Sequence, residues 1–230
     1  MENSVRFLFS GDSALVIEFG NEISVDINKK IRKMMDNIKK ENIDGIVELV
    51  PTYCSLLINY DVLKVDYQSL VEKLKTLLND DNETVEDEEV TLIEIPTLYN
   101  DECGPDLSYV AEYNKLSKEE VIKIHTGTDY LVYMLGFMPG FTYLGGMSEK
   151  IATPRLESPR LQIYPGSVGI AGKQTGMYPS MSPGGWRIIG RTPLKLYNPD
   201  SETPVYISSG DYVRYVSITE EEYNNILKKV

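Results

Sequence analysis

Read for its alternation of apolar and polar positions, the chain opens as two strands, a helix, two strands, a helix and a strand. VRFLF and ALVIEF, joined at Ser10-Gly11-Asp12, predict a hairpin with Leu15, Ile17 and Phe19 on one face. Ile27, Ile31, Met34, Met35 and Ile38 then fall on one side of a helical period, with lysines covering the other. IVELV and YCSLLINY follow as a strand pair broken at Pro51. Asp66 stands as the N-cap of a second amphipathic helix that aligns Tyr67, Leu70, Leu74, Leu77 and Leu78. The strand VTLIEIP closes the unit. This order predicts a ferredoxin-like α/β sandwich over residues 1–95, with one extra leading strand.

Pro96 marks the expected boundary. Two short helices come next, one capped by Asp106 and carrying Leu107 and Val110, the other starting at Ser117. The second has the capping-box spacing Ser117-x-x-Glu120, apolar Val121, Ile122 and Ile124, His125 in its last turn and Gly127 as its stop. From residue 130 the period changes to short runs (LVYML, LQIYP, VGIA, WRIIG, LKLY, PVYI, DYVRYVSI) separated by glycine and proline. That texture predicts a closed antiparallel β-barrel over 96–230, so the whole chain is expected to be α+β. EEEYNNILKKV reads as a terminal helix with acids first and lysines last, matching the helix dipole.

At 230 residues, 42% hydrophobic and 25% charged, the composition is that of a folded globular protein. No stretch approaches the roughly 18 apolar residues of a membrane span, and the N-terminus has neither a basic nor an apolar leader region; a cytoplasmic location is expected. Cys54 and Cys103 cannot frame a disulfide scaffold and lack zinc spacing, which leaves free thiols. The net charge of −12 opposes non-specific binding to nucleic acid or anionic membrane, and neither is expected as a partner.

The charge is uneven. Residues 1–95 carry 20 acids against 10 bases, whereas 127–199 carry 3 acids against 7 bases together with 12 of the 17 glycines and 8 of the 12 prolines. Cations among small residues that expose backbone N–H groups suit an anionic ligand; a loop-rich barrel with scattered surface arginines explains the same numbers. The acidic run 80–89 reads as a solvated loop ahead of a docking surface for a basic partner.

The familiar catalytic signatures are missing. GSVGIAGKQT (166–175) resembles a Walker A loop at Gly172-Lys173, but Ser167 stands where its first glycine belongs and Gln174 where its Ser or Thr belongs. There is no G-x-G-x-x-G, G-x-S-x-G or H-E-x-x-H, and one histidine cannot build a histidine-rich metal centre. His125 reads either as a general acid or base beside the glycine-rich region or as a structural cation at a helix C-terminus. Trp186, Phe137, Phe141 and Tyr143 read as core filling around tight turns. Arg155, Arg187 and Arg191 flank proline or glycine turns that could aim a guanidinium at a carboxylate or phosphate.

Five ordered motifs, ECGPDL (102–107), HTGTDYLVYMLGFMPGFTYLGG (125–146), ATPR (152–155), PGSVGIAGKQTGMYP (165–179) and SPGGWRIIGRTP (182–193), together resemble the PxpB family, the B component of prokaryotic 5-oxoprolinases, also called the KipI or allophanate hydrolase subunit 1 family. Cys103 stands where the family pattern suggests an aromatic residue. The resemblance implies a cyclophilin-like barrel after the α/β domain, the 5-oxoprolinase C and A components as partner subunits, and ATP-dependent opening of 5-oxoproline to glutamate. ATP would be shared with the partner subunits and accompanied by Mg2+. It also resembles a domain of urea carboxylases, but the chain has no biotin-attachment Ala-Met-Lys-Met and is expected to carry no biotin. By position, Arg155, Arg191 and Lys173 are expected to bind anions, with Gly169, Gly172 and Gly176 allowing close backbone approach. Gln174 and Tyr178 would add neutral hydrogen bonds, and His125 would shuttle a proton. The competing expectation is an interaction protein, since the family includes an inhibitor of a sporulation sensor histidine kinase; prolyl isomerisation, suggested by fold analogy alone, ranks last.

Overall fold

The computed structural model describes residues 5–78 and 91–229. The acidic run 80–89, and the readings of it, lie outside those residues. The chain divides into two compact units, 1–89 and 90–230.

In the first unit, β1 (Arg6–Phe9), β2 (Ala14–Glu18), β3 (Ile46–Pro51) and β4 (Ser55–Tyr60) form an antiparallel sheet in the order β1-β2-β4-β3. Helices α1 (Val25–Glu41) and α2 (Tyr67–Leu78) supply the second layer. The alternation fixes the register: Leu15 pairs with Ile58 and Ile17 with Leu56, all four fully buried, and they meet Ile27, Ile31, Met34 and Ile38 of α1 and Leu70 and Leu74 of α2. The Asp66 carboxylate caps α2 as its sequence suggests, accepting from the Ser69 N–H at 3.0 Å.

The second unit contains β5 (Leu92–Thr97), α3 (Leu107–Tyr113), α4 (Lys118–Thr126), β6 (Asp129–Leu135), β7 (Thr142–Gly145), β8 (Arg160–Ile163), β9 (Ser167–Ala171), β10 (Gln174–Met177), β11 (Ser182–Gly184), β12 (Arg187–Arg191), β13 (Tyr212–Ser217) and α5 (Glu220–Leu227). The sheets run β5-β13-β6-β7, β10-β9-β12 and β11-β8. The capping box predicted at Ser117 and Glu120 is present, and a second one, Thr219 with Glu222, starts α5.

Both fold expectations need correction, although the α+β class stands. The strand at 92–97 does not close the first sheet: it pairs in parallel with β13, Leu92 opposite Tyr212 through Thr97 opposite Ser217. The place it would have taken beside β2 is filled by β1, and Pro96 is tolerated because β5 is an edge strand. The ferredoxin-like order is therefore not completed as predicted. Nor, among the described residues, does any sheet close into a barrel. Five of the short runs do form strands, but in three separate sheets, with Pro165, Pro179 and Pro193 just beyond the ends of β8, β10 and β12 and Pro183 inside β11, residues with no N–H to extend a ladder. LKLY and PVYI touch only at the isolated Tyr197–Val205 bridge.

The β10-β9-β12 sheet separates two apolar clusters. Val168, Ile170 and Met177 face the main core with α3 and α4, whereas Ile188 and Ala171 join Phe141, Ile163, Tyr178 and Trp186. No helix among the described residues is long and apolar enough to cross a membrane.

Candidate functional site

The β9–β10 hairpin turns at Gly172, whose φ of +60 suits glycine. Its register sets Gly169 opposite Gly176 and Ala171 opposite Gln174. The two glycines make a floor for the indole of Trp186. A Cβ at 169 would lie 3.3 Å from Trp186 Cβ, and one at 176 only 3.2 Å from its Cζ3. These glycines thus give room to a tryptophan, a different use of small residues from the ligand approach expected of them.

Aromatic rings surround the indole at steep angles: Phe141 at 5.6 Å and 89°, Tyr178 at 6.3 Å and 84°. Phe141 also contacts Tyr143 and Phe137 edge to face. The Arg155 guanidinium lies 5.9 Å from the indole centroid, with its side chain at the surface. Its segment is fastened to the hairpin turn by paired backbone bonds, Thr153 N–H to Gly172 O at 3.1 Å and the reverse at 2.8 Å. Burial pushes the Tyr178 phenol up to about 12, against the opposing pull of Arg155 and Arg160, so its hydroxyl is protonated at neutral pH.

The predicted residues therefore divide. Arg155, Gly169, Gly172, Lys173, Gln174, Gly176 and Tyr178 belong to one hairpin and its approaches. Lys173 is exposed and pairs with Glu149 at 2.5 Å, an ion pair that solvent weakens. Arg191 stands at the other end of β12 from Trp186, 5.2 Å from the Tyr164 ring centroid. Arg187 rests on Tyr109 at 3.7 Å, so all three arginines predicted beside turns lie against aromatic rings.

His125 occupies the opposite side of the hairpin and is fully buried. Tyr99 Oη is 2.8 Å from its Nδ1, and Thr175 Oγ1 is 2.8 Å from its Nε2. Thr175 donates to the Gly169 carbonyl at 3.1 Å, so it accepts from His125; the proton sits on Nε2 and Tyr99 donates to Nδ1. Desolvation lowers the imidazole to about 3. A proton shuttle needs a nitrogen open to substrate or water, and both of these are engaged inside the core.

Pattern reading took Asp106 for a helix cap and missed its other role. It sits at the start of α3 but makes no side-chain cap. Its carboxylate instead accepts from the buried Ile188 N–H at 2.7 Å and from Arg160 Nη2 at 2.8 Å, and its own N–H donates to Ile188 O at 2.9 Å. Gly104 fits the same junction, where a Cβ would fall 2.1 Å from the Ile189 oxygen. ECGPDL is thereby explained as the clamp that holds β12, and so Trp186, in place. Cys103 and Cys54 are free, and burial raises the Cys103 thiol, which disfavours its reactive thiolate.

The family pattern "Carboxyltransferase domain, subdomain C and D" matches residues 5–207. The 5-oxoprolinase B component of Bacillus subtilis is 45% identical over 223 residues, covering 93% of each chain. The chain belongs to the 5-oxoprolinase B-component family, PxpB. The corresponding component of Escherichia coli O157:H7 is 37% identical, covering 92% of this chain and 95% of its own. A solved structure of a conserved uncharacterised protein from Pyrococcus horikoshii is 51% identical, with a TM-score of 0.57, over 95% of this chain and all of the other. The Bacillus and Escherichia relatives are each named as one subunit of a 5-oxoprolinase, so membership in the family ties the chain to an enzyme built of more than one subunit.

Proposed function

We propose that the chain is the B component of an ATP-dependent 5-oxoprolinase, which works with the A and C components to convert 5-oxo-L-proline to L-glutamate. The observation that carries this reading is the 45% identity to the Bacillus subtilis protein, which runs through both units of the chain.

A lactam is an unactivated amide. Transfer of the ATP γ-phosphoryl group to its carbonyl oxygen releases ADP and makes C5 electrophilic. Water adds to C5, the C5–N bond breaks as the ring nitrogen takes a proton, and a second water releases phosphate from the acyl phosphate, leaving glutamate. Charge develops on oxygen at each stage, where cations and protonated donors stabilise it. Arg155 on its indole platform and Lys173 at the hairpin turn are assigned to anion binding, with Gln174 as a neutral hydrogen-bonding group; Tyr178, buried in the cluster around Trp186, is assigned to holding the indole. Arg191 and His125, placed elsewhere, are assigned no contact with the reacting atoms. Among the described residues no group of three or more His, Cys, Asp or Glu could hold a metal ion, and the ligands of a nucleotide-borne Mg2+ are not assigned to this chain.

Mixed with the A and C components, ATP and 5-oxoproline, the chain should restore glutamate formation. Glutamate released equally well without it would end this reading. Within the active mixture, Arg155→Ala should lower kcat/KM by about tenfold or more, roughly 1.4 kcal/mol. Arg155→Lys should recover only part, because an ammonium lacks the planar stacked fork. Unchanged kinetics for both variants would move the anion site away from Trp186.

A further inference from the structure

The β6–β7 turn bends at Gly136–Phe141, and Phe137 takes a φ of +65. This left-handed region suits glycine and strains a bulky side chain. The bend is tight, since the Met138 N–H donates to the Gly136 carbonyl at 2.7 Å, making Phe137 the middle of a three-residue turn. Two further bonds pin it: Phe141 N–H to Met138 O at 3.1 Å and Gly136 N–H to Phe141 O at 3.2 Å. The outcome is a phenyl ring 65% exposed, its contact with Phe141 edge to face at 5.4 Å. Burial is not the reason for a ring that faces water, yet the backbone is strained to hold it there.

An open cavity of about 520 Å³ adjoins the ring, lined by residues 135–140 with Val205, Ile207 and Ser208. That size lies within the roughly 300–1,000 Å³ of small-ligand sites. None of the lining residues is charged. An apolar wall with an exposed aromatic face suits a flat, uncharged ring, which can stack without needing a counter-charge. It gives no counter-charge to a carboxylate or phosphate, which would lose hydration there.

We infer that the cavity beside Phe137 is a binding site for an uncharged planar heterocycle, the adenine base of ATP in the complex proposed above. The choice of ATP rests on that reading. The 5-oxoproline ring is excluded as occupant because its carboxylate would meet a neutral wall. Phe137 contacts Phe141, and Phe141 contacts Trp186 beneath Arg155, so a chain of ring contacts links the cavity to Arg155.

Phe137→Gly separates binding from folding, because glycine takes this φ without strain and little buried surface is lost. The variant should unfold at the same urea concentration as the parent or higher. Trp186, the single tryptophan, lies two ring contacts away and reports binding by its fluorescence. Titration of the purified chain with adenosine should saturate, 5-oxoproline should not compete, and Phe137→Gly should weaken adenosine binding at least tenfold. In the assembled enzyme the same variant should raise the KM for ATP at least fivefold and leave that for 5-oxoproline unchanged. Absence of adenosine binding in the parent chain, or equal binding by the variant, overturns the assignment. Loss of co-purification with the A and C components in the variant also overturns it, making the ring a protein-docking contact. If the assembled parent makes no glutamate, the proposed function fails, while the adenosine titration still decides the cavity.

Discussion

Replacing Asp106 with alanine should destabilise the second unit by about 3 kcal/mol, read by urea unfolding followed through Trp186 fluorescence. The carboxylate is 6% exposed and serves two donors from distant parts of the chain. Removal leaves the buried Ile188 N–H without its side-chain acceptor and the Arg160 guanidinium without its counter-charge. Arg160 is less dependent on the pair, since about a third of its side chain reaches solvent. Arg160→Ala should therefore cost less, about 1 to 2 kcal/mol, and Asp106→Asn, which keeps an acceptor for Ile188, about 1 kcal/mol. A loss below about 1 kcal/mol for Asp106→Ala would show that β12 is held by its ladder alone.

Acid should weaken the same unit through His125. The folded imidazole titrates near 3, against an ordinary 6.5 in the unfolded chain. Between those values the unfolded state binds a proton that the folded state refuses, so stability rises with pH. The contribution is complete above pH 6.5 and is lost progressively as pH falls toward 3, on the order of 4 to 5 kcal/mol in all. From pH 6.5 to 5 the loss should be about 2 kcal/mol. This is the only histidine, so no other imidazole titrates in that window. His125→Gln should be less stable at neutral pH but lack the slope, and nitrogen chemical shifts should report a neutral ring protonated on Nε2 at pH 5. An identical slope in the variant, or a cationic ring at pH 5, would refute the assignment.

Local physics was legible in the sequence, and long-range pairing was not. The 3.6-residue and two-residue periods located α1, α2 and the hairpins of the first unit because each element buries one face against near neighbours. Ser117 and Glu120 announced α4 for the same local reason. VTLIEIP announced a strand but not its partner, which lies far along the chain, and a strand looks alike whichever sheet receives it. Short runs between glycines and prolines likewise predict strands without saying whether the last pairs with the first, and so a barrel was expected where separate sheets stand. Asp106 carried the signature of a cap because position before a helix is local information, while the Ile188 and Arg160 bonds are not. The glycine pair could have been read otherwise: opposed glycines in a hairpin and a lone tryptophan nearby are the marks of a ring needing floor space. At the candidate site, the grouping of Arg155, Lys173, Gln174 and Tyr178 followed from neighbouring motifs, whereas the enclosure of His125 depended on Tyr99 and Tyr215 arriving from other parts of the chain.

The parallel pairing of β5 with β13 also sets an order of events during synthesis. The two strands are separated by about 120 residues, so the central sheet of the second unit cannot be completed until the chain through Ser217 has left the ribosome. The first unit has all its strands by residue 60 and can be finished much earlier. A nascent chain stalled short of Tyr212 would present a folded head followed by an open β5 edge and an incomplete aromatic core, a species on which chaperones should act.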